Sequence, residues 1–209
     1  MKAFWDERYK QDEYAYGKDP NEYLKVKLKE LKPGSILFPA EGEGRNAVFA
    51  AKNGWEVSAF DISKEGEKKA LSLAEEEGVE INYQTTDSSD LDFEEEEFDV
   101  IALVYAHFPP QMRLEYFSLF KHVLKKGGKV IFEGFASKHP HYQKLNPGVG
   151  GPKEEKMLFS AKEIREAFSD FDFQEFYEGE IELNEGEFHK GKGWVIRFVA
   201  EKKSQNNMS

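Results

Sequence analysis

The sequence predicts a three-layer, doubly wound α/β sandwich whose sheet is seven-stranded, mostly parallel and finished by a C-terminal antiparallel hairpin. Three observations carry this. Short apolar runs bounded by turn residues alternate with helix signals as far as residue 133. A glycine pair, Gly42 and Gly44, falls where the first such run meets a helix. The last two strand-like runs, Phe173 to Leu183 and Trp194 to Ala200, are separated by a polar segment instead of a helix, as in a hairpin. With 209 residues, 39% of them hydrophobic, the chain is expected to form one domain, residues 1–209, around one sizeable core.

Taken in order, Asp19-Pro20-Asn21-Glu22 opens a helix with an acid as N-cap, proline next and glutamate at the third position. Leu24, Leu28 and Leu31 mark its buried face, and Lys32-Pro33-Gly34 ends it. Ile36-Leu37-Phe38 is the first strand, apolar on both faces as a central parallel strand must be. A helix through Ala47, Val48, Ala50 and Ala51 stops at Asn53-Gly54, and Trp55 to Phe60 is the second strand. Ser63 with Glu67 opens another helix, Val79 to Tyr83 is the third strand, and Phe98 to Tyr105 the fourth. Pro109-Pro110 begin a helix that Lys126-Gly127-Gly128 closes before the fifth strand, Lys129 to Glu133. A glycine- and proline-containing loop, Ser137 to Pro152, leads to the capping box Ser160 to Glu163 and a last helix ahead of the hairpin. Residues 205–209 are expected to fray.

Composition excludes several function classes. Acidic residues outnumber basic ones 40 to 29, for a net charge of -11, a field that repels polyanions, so no nucleic-acid partner is expected. No stretch approaches the roughly 20 apolar residues that span a bilayer. The start, Met1 to Glu7, lacks an apolar signal core, so a cytoplasmic protein without a membrane partner is expected. Cysteine is absent, which removes disulfides, thiolate metal sites and a cysteine nucleophile together. His139 and His141 lack carboxylate or cysteine partners nearby in sequence, so no metal is expected.

The chemistry is expected in the first crossover, Gly42-Glu43-Gly44-Arg45-Asn46-Ala47. There glycines let a ligand approach the backbone and the helix N-terminus adds partial positive charge. Asp61, nineteen residues after Gly42 at the end of the second strand, is placed to accept hydrogen bonds from both hydroxyls of a ribose. A nucleotide-like ligand follows. The same Gly-x-Gly-x-x-Ala spacing also satisfies a dinucleotide fingerprint, so an NAD(P)-binding oxidoreductase stands as a rival.

Phe4-Trp5-Asp6-Glu7-Arg8-Tyr9, the glycine turn, Asp61-Ile62-Ser63, Leu124 to Gly128 and Glu185-Gly186-Glu187-Phe188-His189 together resemble the tellurite-resistance and thiopurine-type methyltransferases. The resemblance implies a Rossmann-like, seven-stranded (class I) fold that uses S-adenosylmethionine. It implies that Gly42 to Gly44, with Arg45 following, approach the methionine moiety, that Asp61 holds the ribose, that Ile62 packs on adenine, and that Asp87 and Ser88 meet the adenine edge. The turn departs from the commonest pattern, which begins with an acid, a glycine and a small residue where this chain has Phe38, Ala40 and Glu41. Glu41 is expected to stand in for the missing acid.

A sulfonium carries an activated methyl group, so catalysis is chiefly positioning and exclusion of water. Aromatic faces favour the cation by about 0.5–2 kcal/mol, and Trp5 and Tyr16, in an aromatic segment over residues 1–18, are assigned to a lid. Tyr9 and Tyr14 fit a lid or plain packing equally. At the end of the fourth strand, Val104 faces the methyl donor and His107 is a candidate for positioning or proton acceptance. The Asn/Asp-Pro-Pro-aromatic tetrad that holds planar amines is absent there. His189, placed in the hairpin loop, resembles a substrate-side histidine of the tellurite-resistance group. These readings point to methylation of a small molecule at a thiol, chalcogen oxyanion or hydroxyl by a monomer or weak homodimer, with a non-catalytic nucleotide-sensing domain as a further rival.

Overall fold

A computed structural model describes residues 1–87 and 91–204. Its sheet has seven strands: β1 (Ser35–Pro39), β2 (Glu56–Asp61), β3 (Asn82–Thr85), β4 (Phe98–Val104), β5 (Leu124–Phe135), β6 (Phe171–Glu185) and β7 (His189–Lys202). Their order is β3-β2-β1-β4-β5-β7-β6. The first five pair in parallel, and β7 runs antiparallel to both β5 and β6. The fold is therefore the mostly parallel doubly wound sandwich with a terminal hairpin that the sequence predicts. Strand order reverses beside β1, and in such sheets ligands bind at the carboxyl ends of the strands on either side of that switch point.

Alternation along β1 separates the two cores. Ile36 and Phe38 pack on one face with Leu24 and Leu28 of α2 (Glu22–Lys29) and Ala47 and Ala50 of α3 (Arg45–Lys52). Leu37 packs on the other face with Phe117 and Phe120 of α5 (Pro110–Val123) and Ile164 of α7 (Ala161–Ala167). Between β2 and β3 lies α4 (Lys64–Glu76), capped by the Ser63 hydroxyl, which accepts from the Gly66 N–H at 3.2 Å. Phe38 is fully buried. The acid common at that turn position is thus replaced by core packing, whose truncation to alanine costs about 3–5 kcal/mol.

Several local expectations are corrected. The cap of α2 is Asn21, whose side chain accepts from the Leu24 N–H at 2.9 Å, in place of Asp19. The third strand starts at Asn82, and the fifth begins before the Lys-Gly-Gly turn, which survives as an irregularity in its pairing with β4. The segment 137–152, expected as a loop, contains α6 (His139–Leu145) and a 3-10 turn, Pro147–Val149. The hairpin strands are longer than expected, leaving only residues 186–188 as the tip. At the N-terminus, α1 (Lys2–Tyr9) is a short helix lying against α4. No helix among the described residues is long and apolar enough to cross a membrane. Ser88 and the tail 205–209 lie outside the described residues.

Candidate active site

The crossover from β1 to α3 is built of left-handed residues: Ala40 (φ 52), Gly42 (φ 66) and Gly44 (φ 86). A Cβ on Gly44 would stand 2.5 Å from the Ala70 Cβ, so that glycine lets α3 and α4 approach each other. Gly42 has a different neighbour: a Cβ there would meet the Tyr9 hydroxyl. Tyr9 is 5% exposed and fills the space above the turn, with Trp5 stacked on it at 5.4 Å. The ring that reaches the turn is therefore Tyr9, and Trp5 backs it. Tyr14 donates to the Lys69 carbonyl on α4 at 3.1 Å.

Asp61 ends β2 beside the turn. Its two oxygens accept from the backbone N–H groups of Gly42 (3.1 Å) and Ser63 (2.9 Å), and burial pushes its carboxyl up to about 6. Each oxygen keeps a second lone pair, so the acid can still accept from a diol. Thr86 donates its N–H to the Asp61 carbonyl at 2.9 Å, and its Oγ1 is a buried polar atom with no partner among the described residues. A side-chain-free turn, a carboxylate with spare acceptor capacity and an orphaned hydroxyl fit an adenosyl ligand, once Tyr9 withdraws. Ile62 is half-buried next to the acid. Asp87 is exposed, and its carbonyl accepts from Tyr116 at 2.6 Å.

Glu41 caps α3. One carboxylate oxygen accepts from the N–H groups of Asn46 (2.9 Å) and Ala47 (2.8 Å), and burial pushes the group up to about 7. Arg45, expected to face the cofactor, turns instead to the N-terminal segment and the hairpin. It donates to the carbonyls of Tyr16 (3.2 Å) and Asp19 (3.4 Å) and to Glu185 (2.8 Å). Ala15 lies between these parts, its N–H bonded to Glu43 at 2.9 Å and its carbonyl accepting from the Glu187 N–H at 3.1 Å. Arg8 sits over the rings of Phe4 and Phe188 and donates to the Tyr16 hydroxyl. The first twenty residues thus strap the glycine turn to the hairpin tip.

His189 is the clearest departure from expectation. It is the first residue of β7 and only 3% exposed, not an exposed loop histidine. Its Nδ1 lies 3.2 Å from Glu185, and its ring packs against Tyr16 (4.6 Å), Tyr105 (4.5 Å) and Phe135 (5.2 Å). No hydrogen bond occupies its Nε2 among the described residues. Burial lowers the imidazole, partly offset by Glu185. Burial also works to raise Glu185, but donation from His189 and the charge of Arg45 outweigh it and hold the carboxyl at about 2. The result is a neutral histidine, oriented by an ionised carboxylate, with one nitrogen free to accept a proton.

Tyr105, one residue past β4, holds a left-handed backbone (φ 52) that is uncommon for a bulky residue. Glu133 secures it twice: its carbonyl accepts the Tyr105 N–H at 2.7 Å, and its carboxylate accepts the Tyr105 hydroxyl. Val104 pairs with Glu133 within the sheet. His107 is committed elsewhere: Nδ1 donates to the Met157 carbonyl (2.9 Å) and Nε2 accepts from the Phe135 N–H (3.1 Å). With both nitrogens bonded to backbone and burial lowering it to about 3, His107 braces the loop and has no nitrogen left for a substrate proton. His139 is similarly engaged with Gly150 and Trp194, whereas His141 is exposed. Among the described residues no group of three or more His, Asp or Glu could hold a metal ion.

Sequence reasoning weighed Tyr9 for a lid and placed Tyr105 in the run at the end of the fourth strand, but missed Asn21, Glu133 and Glu185 as parts of this region. Of these three, only Glu185 carried a sequence signal, four residues before His189 in the quoted run.

Residues 36–128, from β1 through the Lys-Gly-Gly turn, match a family profile described as a methyltransferase domain. A structure described under the conversion of a disulfide bond into a thioacetal group during echinomycin biosynthesis superposes with a TM-score of 0.76 at 17% identity, covering 99% of this chain and 94% of that one. TehB from Haemophilus influenzae gives 0.70 at 17% identity, covering 97% and 67%. A SAM-dependent methyltransferase from Methanosarcina mazei gives 0.70 at 19% identity, covering 90% and 100%. Comparison with curated proteins gives no match.

Proposed function

We propose, from the premise that this chain is a class I S-adenosylmethionine-dependent methyltransferase, that its acceptor is a small molecule bearing a thiol or hydroxyl, methylated beside His189. The match to a methyltransferase domain supports S-adenosylmethionine as the cofactor and favours methyl transfer over the nicotinamide and non-catalytic alternatives. That cofactor supplies a sulfonium-activated methyl group. The chain's own residues would hold it through the backbone of Gly42, the carboxylate of Asp61 and the hydroxyl of Thr86. Tyr16 and Tyr105 offer aromatic faces to the positive charge, an attraction of about 0.5–2 kcal/mol.

One observation carries the choice of acceptor: the Glu185–His189 pair leaves Nε2 unbonded among the rings of Tyr16, Tyr105 and Phe135. A neutral imidazole there removes the proton of an S–H or O–H group as its lone pair attacks, and Glu185 stabilises the imidazolium that results. A preformed chalcogen oxyanion has no proton to lose and gains nothing from this pair. A structural neighbour described by chemistry on a disulfide supports placing thiols first in the panel.

The test is a panel of thiols, phenols, selenite and tellurite, with methylated product detected by mass spectrometry, repeated with His189→Gln. Thiols or phenols should be the best acceptors, and the variant should lose about 100-fold or more in kcat, most for the least acidic acceptors. A preference for selenite or tellurite, or a His189→Gln effect independent of acceptor acidity, overturns the reading.

A further inference from the structure

We propose that Asn21 is a positioning residue for methyl transfer: its carboxamide aims Glu185, and through Glu185 the ring of His189, at the acceptor. The inference rests on the reading of His189 as the acceptor-side base and adds a residue that neither motif nor spacing assigns.

Asn21 is 1% exposed, and every polar atom it carries on the side chain is used. Oδ1 accepts from the Leu24 N–H at 2.9 Å and starts α2. Nδ2 donates to Glu185 Oε1 at 2.8 Å and to Glu133 Oε1 at 3.1 Å. The backbone N–H donates to Asn46 Oδ1 at 2.9 Å, on the helix that Glu41 caps. The carboxamide therefore spans two buried carboxylates from different strands, one bearing His189 and the other securing Tyr105, whose ring packs on His189. Each of those carboxylates has its own arginine, Arg45 on Glu185 and Arg197 on Glu133.

The geometry explains why a neutral donor is needed between them. Glu185 has two oxygens. Oε2 serves both Arg45 and His189, at 2.8 and 3.2 Å, and only Asn21 holds Oε1 among the described residues. Without that bond the carboxylate is free to turn both oxygens onto the Arg45 guanidinium, whose planar fork favours bidentate pairing. His189 would then lose the acceptor that fixes its Nδ1–H tautomer, and Nε2 would no longer be reliably unprotonated.

The discriminating variants are Asn21→Ser, which keeps an oxygen able to cap α2 but has no donor reaching Glu185, and Asn21→Ala, which loses both. His189→Gln identifies the His189 resonances in a chain labelled with 15N-histidine. In the ligand-free wild type, His189 should show the Nδ1–H tautomer. Asn21→Ser should unfold near the wild-type temperature, mix the two tautomers and lower the His189 titration midpoint, the nearby charges being Glu185, Arg45 and Arg8. With S-adenosylmethionine and 2-mercaptoethanol, an alkanethiol that stays protonated near neutral pH, as the probe acceptor, kcat should fall about tenfold with KM for the cofactor unchanged. Wild-type tautomer and titration in Asn21→Ser would overturn the proposal, as would kcat losses that merely follow unfolding temperature across the two variants. If His189→Gln retains full kcat, the base reading fails, and the tautomer measurement still decides whether Asn21 orients the pair.

Discussion

The hydroxyl of Tyr9 stands 2.6 Å from the position a Cβ on Gly42 would take, so the aromatic ring occupies space directly against the glycine turn. With the cofactor placed at this turn, as proposed above, binding requires the ring to move. Tyr9→Ala should let S-adenosylhomocysteine associate several-fold faster in stopped-flow fluorescence, while turnover falls because the closed site loses an aromatic wall. An association rate equal to that of the wild type would mean that the ring never bars the turn.

Asp61 and Glu41 are held by burial at about 6 and about 7, so in the free protein each is protonated in part between pH 6 and 7. Their contribution to stability is full below the ordinary carboxyl range and is lost as pH rises through 6 to 7. A cationic ligand that hydrogen-bonds to the carboxylates favours ionisation. Binding should therefore release protons and tighten between pH 6 and 8. Titration calorimetry at pH 6.5 in two buffers of different ionisation enthalpy measures this directly, and heats independent of buffer would count against contact with either acid.

Ala40 has a φ of 52, in a region where a side chain costs roughly 1–2 kcal/mol. Glycine relieves that cost but loses about 0.4–1 kcal/mol to greater freedom in the unfolded chain. Ala40→Gly should therefore stabilise by about 0.5–1 kcal/mol, read as a small rise in Tm. A fall would show that the Ala40 methyl, which packs on the β1 core, outweighs the strain.

His107 and His189 should separate cleanly. Replacing His107 with Phe leaves the Phe135 N–H and Met157 carbonyl without their partner, a loss of about 1–3 kcal/mol, with kcat per folded molecule little changed. Because the folded His107 stays neutral down to about 3, its contribution is present above the ordinary histidine range and drains away as pH falls from 6.5 toward 3. The stability gap between wild type and His107→Phe should therefore narrow from pH 7 to pH 4 in denaturant titrations. A constant gap would contradict the buried neutral ring.

The sheet was legible because periodicity and turn residues are local: Ile36-Leu37-Phe38 reads as doubly buried, and it packs on both cores. The glycine turn and Asp61 were legible for the same reason, since a crossover needs positive φ at fixed places. What escaped was contact across long stretches of chain. Tyr9 meets Gly42 only because α1 folds back on α4, and Asn21 joins Glu133 and Glu185 from 112 and 164 residues away. No spacing rule reports such pairs. His107 shows the converse, a residue type and position that suggest chemistry but whose two nitrogens are spent on backbone. His189 looked exposed because the hairpin tip was drawn too long; β7 begins five residues earlier than expected, and the added pairing brings His189 inside.

Ala15 is bonded through its backbone in two directions, its N–H donating to Glu43 beside the glycine turn and its carbonyl accepting from the Glu187 N–H at the hairpin tip. The same short piece of chain therefore latches both halves of the cleft, and lifting it from one undoes its grip on the other. A change at the hairpin tip that displaces Ala15 is therefore felt at the glycine turn, and a change at the turn is felt at the tip.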